Sequence, residues 1–329
     1  MNEADERRRL SEAWAAGELG WSNWDSEAIS SDASFRRYFR LRRGKDTRVV
    51  MDAPPERENT QTFVDVASRL GGSGVHVPEI LAHDPRQGLV LLEDLGSRPY
   101  HHVLEDDNAD ALFSDAVEAL IRFQCDARID GLSDYDPALL MRELALFPDW
   151  FLARHWRVEA TDGELDAWDL VCATLLRWAL DQPQVFCHRD YMPRNLMVAD
   201  PNPGIIDFQD ALRGPISYDP VCLYRDAFLS WAPERIDGWL EDYRRRALDA
   251  GLPASEDPDL WRRTCDFMGV QRHLKVIGIF ARIRYRDGKP KYLEDAPRFF
   301  GYLEQAIERN PDLGELGSLL NSWRQRRSQ

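Results

Sequence analysis

The 329-residue sequence predicts an α+β protein of two lobes, a small antiparallel-sheet lobe followed by a larger helical one. Three observations predict it. Residues 26–92 are β-rich, with extended runs punctuated by Gly and Pro. Beyond Gly96, apolar residues recur at helical spacing in seven segments. Between the third and fourth of these lie only short strand-like pieces. The lobe boundary is placed at 95: residues 1–95 form the sheet lobe and 96–329 the helical lobe.

The elements follow in order. Residues 4–18 form an amphipathic helix ending near Gly20. "SDASFRRYFRLRR" and "DTRVVMDAPP" read as an antiparallel hairpin turned at Gly44 and Lys45. A helix spans roughly 58–70 and closes at Gly71 and Gly72. Two short strands, "VPEILAH" and "GLVLLED", flank a turn at Asp84–Gly88. The helical segments cover 106–128, 137–155, 164–181, 218–230, 234–250, 257–285 and 295–308. "QVFC", "NLMV" and "GIID" supply the short strands among them. There is no internal repeat and no low-complexity linker.

Composition excludes several classes. Hydrophobic residues make 43% of the chain and charged ones 30%, the balance of a globular protein. A formal net charge of −15 gives no general attraction for nucleic acid or an anionic membrane. Five scattered cysteines make neither a disulfide framework nor a zinc pattern. The charged N-terminal stretch lacks an apolar core, so no secretory signal is expected, and no run reaches membrane-spanning length. The expectation is a cytoplasmic monomer with no nucleic-acid and no membrane partner.

The chemistry concentrates in "HRDYMPRNLMV" and "GIIDFQD". Phosphoryl transfer needs a carboxylate to orient the attacking hydroxyl and accept its proton, and oxygen ligands for magnesium on the phosphates. Asp190 suits the first role. Asn195, five residues on, reaches a metal through its amide oxygen, and Asp207 adds a carboxylate after an apolar strand. The order H-x-D-x-x-x-x-N, apolar strand, D-F is the catalytic-loop pattern of phosphoryl-transfer enzymes. His188 is then a structural hydrogen-bonder, because Asp190 already serves as base. Cys187 has no assigned chemistry.

On these residues, together with "IIDFQDALRGPISYDPVCL", the chain resembles the aminoglycoside phosphotransferase family over nearly its whole length. That family is a small-molecule branch of the protein-kinase-like fold. "SDASFRRYFRL", "VVMDAPPE" and "QRHLKVIGIFARIRYRDGKPKYL" narrow the likeness to cell-wall-recycling kinases that phosphorylate the anomeric hydroxyl of an amino sugar. The resemblance implies a bilobal protein-kinase-like fold, ATP and Mg2+, and a sugar 1-phosphate as product. It also implies that Asp219 braces the catalytic loop; the competing reading is a plain helix N-cap. Asp219 follows Asp207 by only 12 positions, with no Ala-Pro-Glu anchor, which argues against a protein kinase.

The pattern departs from the family at two places. "SSDASF" replaces the glycine-rich loop, so Ser31, Asp32, Ala33, Ser34 and Phe35 are the candidate phosphate cradle, against an ordinary polar turn. The strand expected to carry a phosphate-binding lysine reads Val49, Val50, Met51, Asp52. An aspartate there needs a cation. Arg36, Arg37 or Arg40 can substitute, with Arg37 as the candidate, unless these are exposed charges of the hairpin. Glu93 and Leu95, in "LLEDLG", mark the connection whose backbone would hold adenine.

For the acceptor, Gln271 to Arg298 carries eight lysines and arginines against three acids. Arg272, His273 and Lys275 either lie on a solvated basic helix face or line the acceptor pocket. N-acetylmuramate carries a lactyl carboxylate and would favour such a pocket, whereas a polycationic aminoglycoside would favour carboxylates. Tyr191, Arg194 and Asp219 complete the acceptor candidates, with Tyr191 offered as a stacking ring beside Asp190. Two alternatives remain beside the amino-sugar kinase. One is an aminoglycoside or other small-alcohol kinase; the other is a nucleotide-binding pseudokinase that lost turnover with its lysine.

Overall fold

The computed structural model describes residues 3–30 and 35–327. In chain order the first elements are α1 (Glu3–Glu18), β1 (Asp25–Ser30), β2 (Arg37–Arg43), β3 (Asp46–Asp52), α2 (Thr60–Gly72), β4 (Ile80–Asp84) and β5 (Leu89–Glu93). Next come α3 (Tyr100–Val103), α4 (Ala109–Asp126), α5 (Pro137–Leu144), a π-helical stretch at Phe147–Trp156 and α6 (Asp162–Leu180). β6 (Gln184–Cys187), β7 (Leu196–Met197), β8 (Gly204–Ile205) and β9 (Leu212–Pro215) precede α7 (Tyr218–Tyr224). The chain continues with α8 (Pro233–Asp249), α9 (Pro258–Asp287), α10 (Ala296–Arg309) and α11 (Gly314–Arg327). The fold is α+β.

Two compact units result: Met1–Ala127 with Arg194–Asp210, and Arg128–Pro193 with Ala211–Gln329. The first cut lies beyond residue 95 because α3, α4 and the separate β7–β8 ribbon belong to the same unit as the sheet. Asn202, between β7 and β8, donates to the Tyr100 hydroxyl and to Asp115 of α4. Val198 N–H donates to Arg98 O, and Ile205 N–H to His76 O.

The first unit is built on a five-stranded antiparallel sheet of order β1-β2-β3-β5-β4. Gly44, at φ +63°, closes the β2–β3 hairpin in the left-handed conformation that glycine adopts freely. Register decides which side chains share a face, because opposed residues point the same way. Phe39, Val50 and Leu91 stand opposite one another on one face. They pack with Ala15 and Ala16 of α1, so α1 covers that face. Tyr38, Met51 and Val90 oppose one another on the other face. α2, capped by the Asn59 side chain, buries Phe63, Val66, Ala67 and Leu70.

The second unit is helical, and α9 is its axis. Thirty residues long, α9 packs against α5, the π-helical stretch, α6, α7, α8 and α10. It is buried nearly all round from Thr264 to Ile283, so Arg272, His273 and Lys275 do not lie on the solvated basic face considered from sequence. Arg284 and Arg286 at its end are exposed. Residues 137–155, read as one helix, divide into α5 and the π-helical stretch; Pro148 cannot donate the usual backbone bond there. The helix expected over 218–230 ends at Tyr224. The sequence reading also missed α11, although Leu316, Leu319, Leu320 and Trp323 repeat at helical spacing. β1 and β9 were missed as well; neither "DSEAIS" nor "LRGP" alternates apolar and polar residues.

Gly278 of α9 lies where a Cβ would come within 2.4 Å of the Leu146 carbonyl carbon. Backbone on the opposing side cannot yield as a side chain end would. Gly278→Ala is therefore expected to cost about 1–3 kcal/mol by overpacking, read as a lowered Tm in a thermal melt.

Candidate active site

Asp190 and Asn195 lie between β6 and β7, and Asp207 follows β8; Asp190 belongs to the helical unit, Asn195 and Asp207 to the sheet unit. In the helical unit, β6 delivers Cys187, His188, Arg189 and Asp190. Buried Asp219, in the first turn of α7, accepts from His188 N–H at 2.7 Å and from Arg189 N–H at 2.9 Å. The Cys187 thiol lies 3.6 Å from the same carboxylate. Asp219 therefore braces the loop, as the family resemblance implies. Burial raises its pKa despite these donors and nearby His188.

Arg189 is held at φ +74°, a conformation a non-glycine residue keeps only when its surroundings require it. Its side chain pairs with Glu143 of α5. Glu143 also meets the Lys275 ammonium at 2.9 Å, the Tyr135 hydroxyl and the Gln271 amide nitrogen at 3.2 Å. Burial opposes the Glu143 charge, but Lys275 and Arg189 hold its pKa below the usual carboxylate value. Asp190 N–H donates to His188 Nδ1 at 3.3 Å, and Asp190 O accepts from Met192 N–H at 2.9 Å. The turn that presents Asp190 is thus closed on both sides.

The acceptor candidates of this unit occupy less accessible places. Tyr191 is fully buried, edge-on to His188 at 5.6 Å. His273 is buried between Phe299 and Tyr302, and burial pushes its pKa well down, aided by Arg272 and Arg225. Lys275 is engaged by Glu143 and the Tyr218 hydroxyl. Arg272, 3% exposed, directs Nε at Cys222 Sγ (2.7 Å) and Nη2 at Met192 Sδ (4.0 Å). Burial works against its charge, but Cys222, Tyr218, Asp190 and Asp226 keep it protonated.

The other half belongs to the sheet unit. Asn195 ends a 3-10 turn, and the β7–β8 ribbon brings it to Asp207, with Nδ2 to Oδ2 at 3.4 Å. Ile206 N–H donates to Asn195 O. Asp207 is exposed and left-handed at φ +61°, and Phe208 beside it lies against Phe63 of α2 at 4.8 Å. An amide oxygen and a carboxylate are hard donors, the number magnesium takes from protein when phosphates and water fill its remaining shell. Arg194, half-buried, is near enough to His101 to help burial and His102 lower its pKa to about 4.

Of the nucleotide candidates, Ser31, Asp32, Ala33 and Ser34 lie outside the described residues. Phe35 is exposed, with the Arg57 guanidinium over its ring at 4.6 Å. Glu93 meets Glu79 N–H and His76, and Leu95 is packed against Gly204. Arg37 shares the α1 face with Asp52 and ion-pairs with it. Arg7 of α1 joins the same carboxylate at 2.7 Å. Sequence reasoning missed Glu143, Gln271 and Arg7. Only Glu143 left a signal, the single acidic residue within the largely apolar run from Ala138 to Phe147.

Two outcomes follow from this geometry. Asp219→Ala leaves two buried N–H groups without an acceptor and is expected to cost roughly 2–4 kcal/mol in a denaturant titration. Asp207→Gly relieves a left-handed non-glycine residue and is expected to hold or raise stability by about 1 kcal/mol, read by thermal melting.

Comparison with known proteins gives this arrangement its place. The profile described as the phosphotransferase enzyme family matches residues 25–258. A Pseudomonas aeruginosa protein named N-acetylmuramate/N-acetylglucosamine kinase is 57% identical over 89% of this chain and 87% of its own length. A Pseudomonas putida protein of the same name is 52% identical over 89% of this chain and 86% of its own. Among solved structures, choline kinase from Cryptosporidium parvum is similar at a TM-score of 0.65 and 14% identity. That likeness covers 96% of this chain and 99% of the other, and it shows a shared fold. The chain belongs to the phosphotransferase enzyme family.

Proposed function

We propose that this chain transfers the γ-phosphoryl group of ATP to the anomeric hydroxyl of N-acetylmuramate and N-acetylglucosamine. It would do so in the cytoplasm, returning recovered sugar to the cell-wall precursor pool. The observation that carries the reading is the 57% identity to a kinase of that name over 89% of the chain. Retention of Asp190, Asn195 and Asp207 supports turnover over the pseudokinase alternative.

Asp190 orients the sugar hydroxyl and accepts its proton. An anomeric hydroxyl is more acidic than an ordinary alcohol, so a carboxylate base suffices. Asp219, through the His188 and Arg189 amides, fixes the backbone from which Asp190 projects. Asn195 and Asp207 would hold magnesium, which when bound would neutralise charge on the phosphates. Arg272 is the acceptor-side candidate the structure supports best, since its Nη1 has no hydrogen-bond partner among the described residues. Tyr191 and His273 present no exposed ring to a sugar.

ADP release with ATP and magnesium is expected with N-acetylmuramate and N-acetylglucosamine, with phosphorus NMR identifying a 1-phosphate. Turnover on kanamycin alone would overturn the reading. Asp190→Asn is expected to lower kcat about 10²–10⁴-fold while nucleotide affinity is kept. Chelating magnesium is expected to abolish turnover.

A further inference from the structure

The strand pattern leaves a chemical gap: Asp52 stands where the family pattern expects a phosphate-binding cation. The sheet register changes how that gap is understood. Asp52 opposes Arg37 and Leu89 on the face covered by α1, where Arg7 and Arg37 both engage it. Asp52 is fully buried, and the two guanidinium groups are its compensation. Met51, not Asp52, stands on the opposite face with Tyr38. Asp207 belongs to the same unit, and Phe208 beside it lies against Phe63 of α2 at 4.8 Å.

Among the arginines of this hairpin, Arg40 is committed elsewhere. Its Nε and Nη2 make a fork on Asp94, its Nη1 meets Glu27, and Nη2 also reaches Gly96 O. Arg36 differs in place. It precedes β2, donates to the Tyr38 hydroxyl, and pairs with Glu58 at 3.5 Å, with its side chain 13% exposed. Glu58 immediately precedes Asn59, the N-cap of α2. Arg36, held by Glu58 at the entry to α2, and Asp207, whose neighbour Phe208 packs on Phe63 of α2, therefore both adjoin that helix within one unit.

We propose that Arg36 is the phosphate-binding cation of this chain, positioned by Glu58 and Tyr38 to grip the nucleotide's terminal phosphates beside Asp207. The proposal rests on the nucleotide reading above. A polyphosphate adjoining Asp207 brings several negative charges into a place that already holds a carboxylate. A planar fork of N–H donors matches phosphate oxygens better than a point charge does. Glu58 performs the holding role that a helix carboxylate performs toward the lysine of protein kinases. The cation has thus moved from the third strand to the entry of the second, and Asp52 serves α1 instead.

The test uses the full chain and calorimetric titration with magnesium-ATP, independent of any sugar. Arg36→Gln is expected to weaken binding at least tenfold and to raise the KM for ATP, with the KM for sugar unchanged. Arg36→Lys is expected to recover part of the affinity. Glu58→Gln, acting through Arg36, is expected to give a smaller loss of affinity with little change in kcat at saturating ATP. If Arg36→Gln fails to fold, the Lys variant decides: wild-type affinity and ATP KM in that variant, with Glu58→Gln also unchanged, would overturn the proposal. So would unchanged affinity in a folded Arg36→Gln, or loss in Arg37→Gln with none in Arg36→Gln. A wild-type chain that binds magnesium-ATP but phosphorylates no sugar would remove the sugar assignment alone, and the affinities would still decide Arg36. A wild-type chain that does not bind magnesium-ATP overturns both.

Discussion

The loop that carries Asp190 depends on one buried carboxylate. Asp219 accepts the backbone N–H groups of His188 and Arg189, and a carboxylate out of water is costly unless such donors surround it. The pairing therefore holds loop and helix together from both sides. It fixes Arg189 in a left-handed backbone conformation, and that turn sends the Arg189 side chain to Glu143 while Asp190 projects from the next residue. A second buried carboxylate, Glu143, takes up the guanidinium along with Lys275, Tyr135 and Gln271. The buried middle of α9 can thus carry the Lys275 ammonium inside the unit, because Glu143 matches it there.

The same logic organises the sheet unit. Asp52, fully buried, draws Arg7 from α1 and Arg37 from β2 to one point. Buried pairs of this kind contribute little net stability against well-packed apolar residues, but removing one partner strands the other. They fix which helix covers which face. With α1 tied to the Asp52 face, the opposite face is left to Tyr38 and Met51. Asp207, an exposed carboxylate, is likewise held in a left-handed conformation that a non-glycine residue keeps only when its surroundings require it.

Legibility differed by the kind of signal. The residues proposed as base and metal ligands were legible through local spacing: five residues from Asp190 to Asn195, then an apolar strand before Asp207. The sheet hairpin and most helices were readable from period. The fate of α9 was not. Arg272, His273 and Lys275 fall at spacings that suit a solvated face equally well, and only the helices packed around α9 bury them. Arg37 looked equivalent to Arg36 in sequence, one residue away. Alternation sends neighbours to opposite faces, and nothing local says which face meets α1.

By itself, then, the sequence determined the order of elements, the phosphoryl-transfer loop and the absence of a lysine in the third strand, since each is a matter of residue type and near-neighbour spacing. Tertiary structure alone decided that Asp52 faces α1 with Arg7 and Arg37, and that Glu143 gathers Arg189 and Lys275. Those outcomes depend on partners 15 to 132 positions apart in the chain. Periodicity carries no information about such distant partners.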